Sequence, residues 1–238
     1  MAYALQRTVF QRSLYLKVRE NMYFKAVIFD LDGTLLDTLK DIANSANSML
    51  KGYGFPTHEV NSYRYFVGDG VTMLISRVLP PDKRNDDTIA ECETVFREIY
   101  SRSWKLNTKM YEGIPELLDA LVEKRVKMAI LSNKPDDFIK LCVRELLSKW
   151  SFEMILGQRE RIPLKPNPYG AHEIAENLGI SPERFLYLGD TGVDMRTAVN
   201  AKMLPVGALW GFRPPDELRK HGAKALIERP MELLALEP

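Results

Sequence analysis

Apolar and polar positions follow two different rhythms along this chain. Ala26-Val27-Ile28-Phe29 is a short unbroken run of β-formers with no polar position on either face. Such a run predicts a strand covered on both sides, as in a parallel sheet. It gives way to the polar Asp30-Leu31-Asp32-Gly33-Thr34. Leu39, Ile42, Ala43, Ala46, Met49 and Leu50 then recur at helical spacing, with Thr38 placed to cap the helix. From about 57 to 109 the rhythm is almost wholly helical. Val71, Leu74, Ile75 and Val78 form one stripe, and Ile89, Cys92, Val95, Phe96 and Ile99 another. Pro80-Pro81 stands between them, and no strand is expected there. Strand and helix then alternate: helix 115–124, strand 126–131 ending in Ser132-Asn133-Lys134, helix 136–149, strand 152–156 and helix 169–178, stopped by Gly179. Strand 185–188 follows, ending in Gly189-Asp190-Thr191-Gly192, then helix 193–202, strand 204–209, and a short helix and strand near Leu218 and 225–227.

Repeated strand–helix units predict an α/β fold, a Rossmann-like doubly wound parallel sheet with right-handed crossovers. Ligands of such sheets sit at the carboxyl ends of the strands, so Asp30, Asp32, Ser132 and Asp190 are expected to converge. The all-helical stretch reads as an inserted all-helical cap over that edge. This divides the chain into an α/β core of 22–39 and 110–238 and a cap of 40–109. Residues 1–21 are punctuated by Arg7, Arg12, Lys17 and Arg19. They lack the unbroken apolar stretch of a secretory signal and only faintly resemble a transit peptide. They are read as an extension outside the fold, with Met22 as the natural start.

The 238 residues, 45% hydrophobic, suffice for one good core plus a smaller second unit. A net charge of +1 provides no global field for nucleic acid or an anionic membrane. No run of eighteen or more apolar residues occurs, so no transmembrane helix is expected. Cys92 and Cys142 have neither zinc-ligand nor disulfide-framework spacing, which predicts two buried thiols in a reducing cytoplasm. A cytoplasmic monomer or homodimer is the expectation.

Asp30 and Asp32 leave a strand end two residues apart and can face the same way. Alone they would repel; a divalent cation removes the conflict, and hard oxygen ligands select Mg²⁺. Asp190 ends another strand and can add a third carboxylate, with Asp194 one helical turn on as outer support. A carboxylate can also act as nucleophile through an aspartyl-phosphate, and a second can serve as acid and then base. Phosphoryl oxygens need donors. Ser132 offers a hydroxyl, Asn133 an amide, and Lys165 an ammonium in the proline-stiffened Leu164-Lys165-Pro166-Asn167-Pro168.

Four ordered segments resemble the motifs of the haloacid dehalogenase-like (HAD) hydrolase superfamily: 30–38, 132–134, 165–168 and 189–194. The resemblance implies Asp30 as nucleophile, Asp32 as acid/base, Ser132 and Lys165 as holders of the phosphoryl group, and Mg²⁺ held by Asp30, Asp32 and Asp190. Gly33 and Thr34 fall in the first motif and are taken, with Asn133, as substrate-binding. A closer resemblance is to the phosphoglycolate phosphatase family, carried by Phe66-Val67-Gly68-Asp69-Gly70-Val71 and by Val206 to Arg213. It implies hydrolysis of a small phosphorylated metabolite, 2-phosphoglycolate first. Arg64 and Arg213 are candidates for a substrate carboxylate. One departure stands out: Ala201-Lys202-Met203 replaces the usual Ala-Gly-Met.

Plainer readings compete residue by residue. Asp190 and Asp194 can be a helix N-cap and a first-turn acid. Gly68-Asp69-Gly70 can be a turn, Trp210 packing, and His58, His172 and His221 fit no ligand spacing. Three other functions use similar parts: a sugar-phosphate mutase, a pyrophosphatase, and a non-enzymatic receiver switched by phospho-aspartate. A receiver needs no large helical insertion, and dehalogenation needs no acid at position 32.

Overall fold

A computed structural model describes residues 24–236; the leader 1–21 lies outside the described residues. Numbered in chain order, the strands are β1 (Ala26–Phe29), β2 (Leu36–Asp37), β3 (Lys109–Met110), β4 (Lys127–Pro135), β5 (Met154–Gln158), β6 (Phe185–Gly189), β7 (Leu204–Ala208) and β8 (Ala225–Ile227). Six of them form one parallel sheet in the order β5-β4-β1-β6-β7-β8. This is the expected α/β architecture, with helices between successive parallel strands.

The central strand β1 explains why its sequence is apolar throughout. Ala26 and Ile28 pack with Ala171, Ile174 and Ala198, from the helices Tyr169–Leu178 and Gly192–Asn200. Val27 and Phe29 face the opposite core, with Leu117, Leu118 and Ile139 of the helices Ile114–Glu123 and Asp136–Leu146. Burying a side chain the size of Ile28 or Phe29 contributes about 1.5–3 kcal/mol each. Asp30 therefore hangs from one of the best anchored points in the sheet.

The insertion is built from helices Leu39–Gly52, Tyr63–Phe66, Val71–Val78 and Asp86–Ser103. The first stripe, Val71, Leu74, Ile75 and Val78, is buried; of the second, Cys92 and Phe96 are buried and Ile89, Val95 and Ile99 only partly so. The two prolines lead into a single 3₁₀ turn, Pro81–Lys83.

Three local expectations need correction. The stretch read as helical from about 57 to 109 ends in a strand: β3 pairs antiparallel with β2, Leu36 opposite Met110 and Asp37 opposite Lys109. Two-residue strands are too short to show a period. Thr38 precedes its helix but makes no capping bond, and its buried hydroxyl has no hydrogen-bond partner among the described residues. Strand β4 runs past Leu131 to Pro135 through an irregularity, so Ser132, Asn133 and Lys134 belong to the strand itself. Beside the β2–β3 pair, Asp41 accepts four hydrogen bonds: from the backbone N–H groups of Asn107 and Thr108 (2.8 Å each), from Asn107 Nδ2 (2.7 Å) and from Thr108 Oγ1 (2.8 Å). Both cysteines are buried and free. No described helix is long and apolar enough to cross a membrane.

Candidate active site

The carboxyl ends of β1, β4 and β6 bring the acidic and basic residues together under the helical insertion. Carboxylate oxygens of Asp30, Asp190 and Asp194 all lie within 4.8 Å of one another, and all three residues are buried. The Lys165 ammonium sits against two of them, 2.9 Å from Asp30 Oδ1 and 2.7 Å from Asp194 Oδ1, and also donates to the Leu131 carbonyl.

Each carboxylate is aimed by its own surroundings. Asp190 accepts from Thr34 Oγ1 at 3.0 Å and from the Phe212 N–H at 2.7 Å. Asp194 joins a capping box: its Oδ2 accepts from the N–H and hydroxyl of Thr191, which is the N-cap of the helix Gly192–Asn200. Asp190 is therefore not the cap, and Asp194 caps with one oxygen while the other meets Lys165. Asp30 Oδ1 is buried against the Lys165 ammonium, and no other group among the described residues bonds to it.

Burial raises the Asp30 carboxyl to about 6, with Lys165 pulling the other way and Asp194 adding to the rise. Burial, then Asp194 and Asp30, hold Asp190 well above the usual carboxylate range. For Lys165, burial favours the neutral amine, and Asp194 and Asp30 more than reverse it, so the ammonium stays charged. Three carboxylates against one ammonium leave two uncompensated negative charges when all are ionised. A hard divalent cation fits that deficit.

Asp32 was expected among the cation ligands; its carboxylate turns elsewhere. It forms an ion pair with Lys134, whose Nζ lies 2.9 and 3.1 Å from the two oxygens, and Asp194 completes the acidic cluster in its place. The spacing of Asp30 and Asp32 places both at one strand end but does not fix where each side chain points. The sequence reading gives Lys134 no role beyond its place in Ser132-Asn133-Lys134. An ammonium directly after two polar strand residues is the signal that could have found it.

Asp30, Asp32, Ser132, Asn133, Lys134 and Lys165 line one cleft that opens to solvent. The Ser132 hydroxyl accepts from the Lys134 N–H, and its own proton has no acceptor among the described residues. Asn133 lines the cleft, but its carboxamide is engaged elsewhere. It accepts from the Lys165 N–H and donates to the carbonyls of Lys165 and Gly68, tying the lysine loop and the insertion to β4.

Gly33 and Thr34, expected to touch substrate, instead support Asp190. Gly33 has φ +89°, and a Cβ there would lie 2.3 Å from Asp190 Oδ2, so only glycine lets the carboxylate in. Arg64 and Arg213 do not line the cleft. Arg64 donates to the Gly211 carbonyl at 2.7 Å, and Arg213 to the Val67 carbonyl at 3.1 Å while pairing with Glu217. They are reciprocal struts between insertion and core. Trp210 Nε1 donates to the Thr34 carbonyl, consistent with packing.

Residues 27–208 match the haloacid dehalogenase-like hydrolase family. The chain is 32% identical over 212 residues to a phosphoglycolate phosphatase of Aquifex aeolicus, covering 89% of this chain and 96% of that one. It is 30% identical to phosphoglycolate phosphatase 1 of Pseudomonas aeruginosa, covering 88% and 78%. A crystal structure from Lactobacillus delbrueckii subsp. bulgaricus, provisionally assigned as a phosphoglycolate phosphatase, superposes with a TM-score of 0.84 at 30% identity, over 90% of this chain and 98% of that one. The order of the strands, the acidic cluster at their carboxyl ends and these likenesses lead to one conclusion: the chain is a phosphatase belonging to the haloacid dehalogenase-like hydrolase family.

Proposed function

We propose that this protein is a Mg²⁺-dependent phosphatase that hydrolyses a small phosphomonoester, 2-phosphoglycolate first, through an aspartyl-phosphate on Asp30. The observation that carries the reading is the buried group of Asp30, Asp190 and Asp194 around Lys165 at the carboxyl ends of the strands. The relatives named phosphoglycolate phosphatase support the choice of substrate. Residues 40–109 act as the cap, and the free buried thiols support a cytoplasmic setting.

Asp30, Asp190 and Asp194 would hold Mg²⁺, which supplies charge neutralisation for the carboxylates and the transferring phosphoryl group. In the first step a carboxylate oxygen of Asp30 bonds to phosphorus, and the bond from phosphorus to the ester oxygen breaks. Asp32 gives its proton to the departing oxygen. In the second step Asp32 takes a proton from water as that water bonds to phosphorus, and the Asp30–phosphorus linkage breaks to release inorganic phosphate. Lys165 and the Ser132 hydroxyl hold the phosphoryl oxygens throughout.

Phosphate release by the purified protein, with Mg²⁺ and with a chelator, over a panel of phosphoglycolate, pyrophosphate and sugar phosphates tests the reading. Undiminished activity in Asp30→Asn overturns it, as does isomerisation of a sugar phosphate with little phosphate release.

A further inference from the structure

The cleft carries cationic side chains besides the lysine of the acidic cluster. Three cationic side chains line it: Lys165, Lys134 and Arg97. Lys165 belongs to the acidic cluster. Much of the remaining wall is apolar: Val71, Leu74 and Phe96 come from the insertion, and Phe138 from the core helix Asp136–Leu146.

Lys134 is buried, at 5% side-chain exposure, beside Asp32. Its ammonium also donates to the Tyr100 hydroxyl at 2.9 Å. Tyr100 comes from the helix Asp86–Ser103 of the insertion and is itself buried. Its oxygen is taken up as an acceptor, and its own proton has no acceptor among the described residues. A buried hydroxyl donor polarised by a neighbouring ammonium is a place for an anion. The two-oxygen contact between Lys134 and Asp32 can relax to one oxygen, which frees a second donor for the same ligand. Arg97 is a weaker candidate. Its guanidinium is already paired with Asp137 at 3.0 and 3.2 Å, lies over the Phe138 ring, and its side chain is 36% exposed. Water screens a charge so placed.

Position then limits the ligand. On the mechanism proposed above, on which this inference rests, the ester oxygen leaves next to Asp32. Lys134 lies 2.9 Å beyond that carboxylate. An anion reaching both must sit within a few bonds of the ester oxygen.

We propose that Lys134 and Tyr100 form a specificity site for a carboxylate carried by the leaving group, close to the ester oxygen. The pair selects short carboxylate-bearing phosphomonoesters over neutral ones. One donor comes from strand β4 and the other from the insertion, so the site is complete only with the insertion seated on the core.

The test compares kcat/KM for 2-phosphoglycolate with that for its neutral amide, O-phosphoglycolamide, in the full-length protein with Mg²⁺. Misfolded molecules drop out of this ratio, because both substrates meet the same active fraction. The parent protein should favour the carboxylate by about a hundredfold, the scale of a buried hydrogen-bonded charge contact. Lys134→Met should bring the ratio near one, Tyr100→Phe should lower it several-fold, and Lys134→Arg should recover part of it. Arg97→Met should leave the ratio where it is. A ratio unmoved by Lys134→Met, or one that collapses in Arg97→Met, overturns the proposal. Equal use of both esters by the parent overturns it while leaving the phosphatase reading intact. Release of phosphate from neither ester, nor from any other phosphomonoester, overturns that reading and this inference with it.

Discussion

Gly211→Ala perturbs the acidic cluster without touching any charged atom. Gly211 needs no left-handed backbone, so an alanine there is not strained by its own φ; the conflict is with Asp190. A Cβ on Gly211 would lie 2.2 Å from Asp190 Cβ and 2.6 Å from its Cγ and Oδ2. That is about 1.2 Å short of the 3.4 Å at which ordinary contact begins. Asp190 is fully buried and has nowhere to retreat, so the 211–212 backbone must move and stretch the 2.7 Å bond from the Phe212 N–H. Overpacking of this kind costs about 1–3 kcal/mol, and losing a hydrogen bond to a charged group about 1.5–3 kcal/mol. A loss near 4 kcal/mol, at roughly 2–4 °C per kcal/mol for a chain of this size, lowers Tm by roughly 8–16 °C. Displacing Asp190 should also weaken Mg²⁺ binding, measured by isothermal titration, by about 10–100-fold. A variant that melts within about 2 °C of the parent and binds Mg²⁺ as tightly would refute the claim that position 211 sets the place of Asp190.

Three further outcomes are expected. Asp41→Ala removes all four bonds at the base of the insertion and leaves two backbone N–H groups without their acceptor, so urea unfolding should show a loss of about 3 kcal/mol or more; a loss under about 1 kcal/mol contradicts the accounting. Lys202 occupies a left-handed conformation, φ +58°, just after the helix Gly192–Asn200, so Lys202→Gly should stabilise the protein by about 1 kcal/mol and raise Tm by roughly 2–4 °C. Unchanged or lowered stability would show that the lysine makes a compensating contact. Burial raises the Cys142 thiol to about 11, and Cys92 is likewise buried; a thiol reagent at pH 8 should find neither cysteine in the native protein and both after denaturation. Rapid labelling of the folded chain would count against the packing described.

The sequence located strand ends well and side-chain directions poorly. Ala26 to Phe29 announces a doubly covered strand because every position is apolar, and that fixes where Asp30 emerges. The convergence of Asp30, Asp32, Ser132 and Asp190 on one sheet edge follows from topology once the strands are parallel; Lys165 reaches them from a loop, which the strand pattern does not place. What spacing cannot carry is rotamer and partner. Asp32 shares its strand end with Asp30, yet its carboxylate faces Lys134, a pairing across 102 positions. Arg64 and Arg213 look like ligands for an anion in sequence; in the fold each caps a backbone carbonyl across the seam between core and insertion. The departure at Lys202 is the converse case: the residue usual at that place, glycine, is the one that tolerates the positive φ found there.

The β2–β3 pair gives the helical excursion a single stem, since the chain leaves and returns at adjacent points. Loop closure then depends only weakly on how much chain lies above the stem; doubling it would cost about 0.6 kcal/mol in entropy. The register of β1 against β4 and β6 therefore depends little on the length of the excursion. The sheet that anchors Asp30 and the length of the excursion above it are thus set by separate parts of the chain.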